Sequence, residues 1–366
     1  MTLTTLHLTP QQFTDIETPL VEHGPLSASL FRYPTGVCAL RLRNDAGELL
    51  LLPFQGQQVW RAVFGGRDLT MRSIFEQPVP TRDFLATFGG YLVHCGASAM
   101  GSPGPGDTHP LHGELPNAPY QSAQLLLGAD PRGEYIALTG SYTHRVFFSQ
   151  HFRARPTVKL YARQSVFDVS MEITNLKATP MELMYLAHIN VRPVDNGRLV
   201  YSTPADAAHM RVRASIPGHV TPQPGYAEFL ELLTVHPEQH QVLKPGLAFD
   251  PEVVFFIDYQ ADAEGWARAL HIHPDGSADV VRQRLPALNR GMVWISRTPD
   301  QDALGFEPAT AQVEGYSAEK RKGNLRILAP GEVFTGQMQA GYLSPGEVQV
   351  ELKQIEAQLN PSGKSQ

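Results

Sequence analysis

Three histidines and a glutamate crowd one glycine- and proline-rich stretch of the chain. His94 follows Phe88-Gly89-Gly90-Tyr91-Leu92-Val93, and His109-Pro110-Leu111-His112-Gly113-Glu114 comes after a loop with five glycines or prolines between Gly101 and Gly106. Such a loop forms neither a core helix nor a central strand, so it is expected at a surface or on the rim of a cleft. Imidazole and carboxylate together suit zinc, iron or manganese. They also suit proton exchange and hydrogen bonding with a polyhydroxylated substrate. Pro110 separates two of the histidines, so no helix face makes them converge, and on the residues alone both chemistries stay open. Two further groups stand out. His188 interrupts the apolar run Met181 to Asn190, and Glu307 ends the short apolar run Ala303-Leu304-Gly305-Phe306. A carboxyl partly desolvated there would hold its proton more tightly, as a base working near neutral pH requires.

Other chemistries lack their signatures. No glycine-rich fingerprint for a dinucleotide or phosphate follows a strand, and no cofactor is expected. Gly96-Ala97-Ser98-Ala99-Met100-Gly101 resembles a nucleophile elbow, but its second glycine comes one place late and the strand-turn-helix context is missing.

Strands must position these groups. Phe167, Val169, Met171 and Ile173 alternate with Asp168, Ser170, Glu172 and Thr174, the two-residue period of a half-buried strand. Cys38, Leu40 and Leu42 alternate with Ala39, Arg41 and Arg43, and Asn44-Asp45-Ala46-Gly47 then turns the chain into Leu49 to Leu52 as a hairpin. Further β-rich runs are Tyr135 to Leu138, Val158 to Tyr161, Val253 to Tyr259, Met292 to Ser296 and Phe334 to Tyr342. Helical signals are few: Thr9-Pro10-Gln11-Gln12, Tyr226 to Val235, and a C-terminal helix reaching Leu359. The expected architecture is one large all-β antiparallel domain over residues 31–345. It is preceded by an N-terminal extension (1–30) packing on it and followed by a helix (346–359) and a disordered tail (360–366).

Composition narrows the class. The 366 residues include 31 glycines and 30 prolines, which fits a folded chain with many turns. A formal net charge of −6 gives no basic footprint for nucleic acid or anionic membrane. The longest apolar runs fall far short of a bilayer span. Two cysteines make no disulfide framework, and Met1 to Gln12 lacks the regions of a signal peptide. A cytoplasmic protein acting on a small neutral molecule is expected, with no nucleic-acid or membrane partner.

In order, the motifs resemble the galactose mutarotase (aldose 1-epimerase) superfamily, most closely its DUF4432-type branch of aldose-epimerase-like proteins. Leu111-His112-Gly113 is similar to the family's Leu-His-Gly element. Asn175, followed by Leu186-Ala187-His188-Ile189-Asn190, is similar to its strand with an asparagine and then the catalytic histidine. Phe306-Glu307-Pro308 is similar to its Leu-Glu-Pro element, and Leu328-Ala329-Pro330-Gly331-Glu332 to its closing turn. The resemblance implies a β-supersandwich and a carbohydrate-active isomerase that interconverts sugar anomers by acid–base ring opening. It casts Glu307 as base, His188 as acid and His112 as the group that orients or polarises the sugar oxygens. His94, His109 and Glu114 are candidate binding residues. The family's sugar-gripping arginine and aspartate have no clear match here; Arg82, or Arg72, and Asp258 are the candidates. The missing arginine leaves a non-catalytic carbohydrate-binding protein as one alternative, and the cluster of His94, His109, His112 and Glu114 leaves a metal-dependent sugar isomerase or epimerase as another.

Overall fold

The computed structural model describes residues 3–216, 220–246 and 249–360. Among them, strands build a nine-stranded and a thirteen-stranded sheet, and the strand ladders are antiparallel. Helices are few and short: Tyr226–Val235, Tyr316–Arg321 and Pro345–Leu359, with three-residue 3-10 turns at Pro10–Gln12 and Leu85–Thr87 and a longer one at Pro237–Gln241. The fold is the antiparallel all-β architecture expected from the alternating runs, arranged as the sandwich that the resemblance implies.

Local sequence accounts for the elements. The Phe167–Thr174 alternation lies inside the strand Val166–Asn175, whose Phe167, Val169, Met171 and Ile173 are buried. In the hairpin joining Cys38–Asn44 to Gly47–Leu51, the Asn44 Oδ1 accepts from the backbone N–H groups of Ala46 and Gly47, both at 2.9 Å. An asparagine side chain here closes the turn that the backbone alone would leave open. The helix Pro345–Leu359 starts with proline in its first turn, and Ser344 donates from its backbone N–H (2.8 Å) and its hydroxyl (2.6 Å) to Glu347. It buries Val348 and Ile355 against Leu270, Ile272 and Val280 of the nine-stranded sheet.

The domain boundaries differ from the sequence expectation. Thr4–Leu8 pairs with Ser122–Asp130 at the edge of the nine-stranded sheet, and Thr18–His23 pairs with Leu26–Arg32 at the edge of the other. Thr4–Leu8 and Thr18–His23 are therefore edge strands of the two sheets, with Leu26–Arg32 next to the second edge, rather than an extension laid on a finished domain. Residue 30 itself falls within a strand. The expected tail, apart from Asn360, lies outside the described residues.

Strand order carries one further point. In the nine-stranded sheet, Val333–Leu343 runs between Val166–Asn175 and Ala278–Arg284, bonded to both. Parity decides which side chains meet the core. In the strand Met181–Val191, Leu183, Tyr185, Ala187 and Ile189 join the main core between the sheets. Met184 and Leu186 take the other parity and join a second apolar cluster with Val93, Cys95, Val254, Phe256 and Met292. That second cluster floors a cleft on the outer face of the thirteen-stranded sheet.

Candidate active site

His188 shares the parity of Met184 and Leu186, so it opens on the outer face. The neighbouring strand Asp302–Ala309 pairs with Met181–Val191 in the register Ile189↔Phe306, which sets Glu307 directly opposite His188. Their side chains meet with His188 Nε2 3.3 Å from Glu307 Oε1. Both are buried, at 5% and 4% exposure. Burial pushes the Glu307 carboxyl up to about 8, the Glu252 charge adds to the rise, and Arg213 opposes it. Burial pushes the His188 imidazole down to about 4 against a smaller opposing contribution from the Asn190 side chain. Near neutral pH the pair therefore holds one proton, and the resting position of that proton is Glu307.

The pair lies in a cavity of about 300 Å³. Its walls are aromatic: Trp294 meets His188 edge-on at 5.3 Å between ring centroids, Phe88 does so at 5.2 Å, and Phe84 packs on Phe88 and on His112 at 4.7 Å each. His112 enters from the glycine-proline loop and stands 5.5 Å from His188, ring centroid to ring centroid. Local backbone demands explain how it gets there. His112 itself has φ 60°, its N–H donates to the Gly101 carbonyl at 3.1 Å and its carbonyl accepts from Gly96 at 2.9 Å. Gly113 has φ 80°, and a Cβ there would lie 2.1 Å from the Ala99 carbonyl oxygen and 2.6 Å from that of Gly96. Gly113→Ala is accordingly expected to cost at least ~1–3 kcal/mol from backbone strain alone, read by urea denaturation. An unchanged midpoint would show that the loop accommodates the methyl group.

Two cavity residues were missed by the sequence reading. Glu252 accepts from Trp294 Nε1 at 2.7 Å and from Arg213 Nη2, so the carboxylate is clamped between an indole and a guanidinium. Arg213 is 9% exposed and lines the same cavity. Neither could be found by periodicity. Arg213 follows the three-residue strand Met210–Val212, and Glu252 stands just before Val253–Ile257, where no alternation marks a facing.

Of the eight expected site residues, Glu307, His188 and His112 line this one cavity, and the other five do not. His94 has the opposite parity to Val93 and Cys95. It is fully buried, bonds Tyr185 Oη through Nδ1 at 2.8 Å, and burial pushes it down to about 3. His109 lines a second cavity of about 610 Å³, where its Nε2 accepts from the Tyr316 N–H at 3.4 Å. Glu114 accepts from the backbone N–H groups of Ala97 (2.8 Å) and Ser98 (3.0 Å) and from the Ser98 hydroxyl, so it ties down the loop before His112. Arg82 donates to the Glu114 carbonyl at 2.8 Å, and Asp258 is exposed and paired with Arg211 at 2.6 Å. The metal alternative built on His94, His109, His112 and Glu114 fails on the same geometry, because those donors are spread over the core and two cavities.

Among the described residues one set of metal-ligating side chains does converge, away from the cavity. Ligand atoms of the buried His271, His273 and Asp279 lie within 4.8 Å of one another. His271 Nδ1 lies 2.9 Å and His273 Nε2 3.0 Å from the same oxygen, Asp279 Oδ2. The Val194 N–H points at His271 Nε2 from 3.3 Å, which makes that nitrogen the acceptor and leaves the imidazole proton on Nδ1, aimed at Asp279. A metal at Nδ1 would turn Nε2 into a second donor facing the first. The donor set fits shared protons better than a cation.

Comparison with known proteins agrees with this fold. The family described as "Domain of unknown function (DUF4432)" matches residues 34–341. The chain belongs to this family. No curated protein matches the chain. Among solved structures, it is similar to a putative aldose 1-epimerase from Klebsiella pneumoniae subsp. pneumoniae MGH 78578, with TM-score 0.81, 16% identity, and 98% of this chain and 96% of that one covered. It is also similar to a galactose mutarotase-like protein from Clostridium acetobutylicum (TM-score 0.57, 14% identity, 87% and 99% covered). At those identities the likeness shows the fold, a galactose mutarotase-like sandwich. Among the described residues no helix is long and apolar enough to cross a membrane.

Proposed function

We propose that this DUF4432 protein is a carbohydrate-active isomerase that interconverts the anomers of a small neutral sugar. The observation that carries the reading is the Glu307–His188 pair, 3.3 Å apart at the floor of an aromatic cavity. Opening a hemiacetal removes a proton from the anomeric hydroxyl and adds one to the ring oxygen; the carbonyl carbon then rotates and the ring recloses from its other face. A pair holding one proton between an imidazole and a carboxyl supplies one donor and one acceptor at the same moment. Ring opening in one direction uses Glu307 as base and His188 as acid. That state is reached when substrate hydroxyls solvate the carboxylate and the proton crosses to the imidazole.

The surroundings support a sugar. Trp294 and Phe88 offer apolar faces against which a pyranose C–H face packs, and the Glu252 carboxylate and Arg213 guanidinium offer acceptors and donors for hydroxyls. Glu252 takes the gripping role first sought in Asp258, and Arg213 the one sought in Arg82. His112, beside His188, is suited to polarising a sugar oxygen.

The test is exchange spectroscopy by NMR, or polarimetry, across a panel of unphosphorylated aldoses. At least one sugar is expected to exchange anomers on the order of 100-fold faster than without protein. Sugar binding with no acceleration anywhere in the panel would turn the reading to a non-catalytic carbohydrate-binding protein.

A further inference from the structure

Two polar atoms at the catalytic pair have no hydrogen-bond partner among the described residues: His188 Nδ1 and Asn190 Oδ1. Both residues are buried, where an unmade hydrogen bond is costly. They stand two apart in the strand Met181–Val191, so their side chains leave the same face of the sheet. The far end of the Asn190 amide is already committed, since Nδ2 donates to the Gly90 carbonyl at 3.0 Å. That leaves the oxygen to meet the histidine. Burial is the largest influence on the His188 imidazole and pushes it down to about 4, and the Asn190 side chain acts against it. An acceptor facing a ring N–H has that sign; an amide N–H in the same place would have the opposite one. Across the ladder Asn190 faces Gly305, where a Cβ would lie 2.9 Å from Glu307 Oε1. The missing side chain keeps the room that the carboxyl occupies beside the histidine.

We propose that Asn190 is a positioning residue: its Oδ1 accepts from the His188 Nδ1–H, fixing the tautomer so that Nε2 alone exchanges protons with Glu307 and the sugar. Its value to the reaction rests on the sugar-isomerase reading, whereas the tautomer itself does not. With the resting proton on Glu307, the carboxyl O–H donates to Nε2, so the single proton of the neutral imidazole lies on Nδ1. The Phe88 and Trp294 rings packed on His188 offer that N–H no oxygen. In the free site its contact with Asn190 is loose, and such contacts commonly tighten as a reaction proceeds. During ring opening Nε2 takes the Glu307 proton and passes it to the ring oxygen, while Glu307 takes the proton of the anomeric hydroxyl. The pair ends with the protons it began with, and the Nδ1–H never leaves. While both ring nitrogens carry hydrogen the imidazole is positive, and its bond to Asn190 is then strongest. An amide supports that cation without a charge of its own. A carboxylate in its place would favour the imidazolium at rest and draw the proton off Glu307.

Nitrogen NMR of the isotope-labelled full chain reads the tautomer without any sugar, with His188 assigned by the signals that His188→Gln removes. Near neutral pH the His188 imidazole is expected neutral with its proton on Nδ1. A proton on Nε2 instead overturns the inference. Asn190→Leu is expected to populate both tautomers and to lower kcat for exchange by about 10-fold with KM little changed. A leucine variant with the wild-type spectrum, or with the wild-type kcat, also overturns it. Asn190→Asp gives up the amide donor to Gly90 as leucine does, but keeps an oxygen toward Nδ1, so Nδ1 is expected to stay protonated. Mixed tautomers in both variants would assign the effect to the lost Gly90 bond and end the role of Asn190. Where a variant does not fold, the wild-type spectrum still decides. A proton on Nδ1 with no sugar exchanged defeats only the isomerase reading. Exchange with the proton on Nε2 defeats only the positioning role.

Discussion

Glu307→Gln is expected to lower anomer exchange by a factor on the order of 100, down to the rate without protein, within the range that a single positioned acid–base group supplies. The amide keeps the shape of the carboxyl and its place 3.3 Å from His188, but it can neither release nor accept the proton. The same variant has a stability signature. Glu307 titrates near 8 in the fold against 4.5 for the ordinary group, so the folded state holds the extra proton between those values. Its contribution is fully present below 4.5 and is lost as pH rises through 8. His188, pushed down to about 4 from 6.5, acts with the opposite sign between those limits. The two slopes offset each other from 4.5 to 6.5, which leaves a window from 6.5 to 8. There wild type is expected to lose roughly 2 kcal/mol of stability as pH rises. Glu307→Gln should be flat across that window in urea denaturation. Exchange retained near the wild-type rate would remove Glu307 from the chemistry, and an unchanged slope would remove its buried proton.

Asp279→Ala is expected to be the most destabilising single change described here, at about 3–5 kcal/mol, because it leaves two buried imidazoles without their common acceptor. For a chain of this length that lowers Tm by about 5 °C. Burial raises the Asp279 carboxyl, but hydrogen bonds from His271 and His273 outweigh it and hold the group below the usual carboxylate range. Its stabilisation is therefore present above the ordinary carboxyl value and lost as pH falls through the lower folded value. The cluster lies outside the cavity, so folded Asp279→Ala should exchange anomers at the wild-type rate. A Tm within about 1 °C of wild type would mean that the histidines find other partners.

The fold was legible because alternation is a direct record of which face is dry. Phe167 to Thr174 announced its strand, and the helix over Tyr226 to Val235 matched the structure at both ends. The grouping of His112, His188 and Glu307 in one cavity was also within reach, through motifs rather than through periodicity. What failed has a common physical cause. The strand Leu92–Ala97 is buried on both faces, so nothing in its pattern says that His94 points between the sheets while Val93 and Cys95 point toward the cleft. Glu114 and Asp258 are acidic residues near turns, and a carboxylate that caps a loop or pairs with a surface arginine looks the same in sequence as one that grips a ligand. Arg213 and Glu252 sit in short or irregular segments, and only the folded backbone brings their charges together beside Trp294.

The strand order also bears on how the chain reaches this state. Val333–Leu343 fills the middle of the nine-stranded sheet, between strands that begin near residues 166 and 278. Until it arrives, Val166–Asn175 and Ala278–Arg284 each present an open edge to solvent. The pairing with Val166–Asn175 spans more than 150 residues of chain. Folding that depends on such distant pairings is slow, in the millisecond-to-second range typical of β topologies or beyond it. The nascent protein must keep two sticky edges apart for that time, so yield in the cell should depend on chaperones and on temperature more than the finished sandwich suggests.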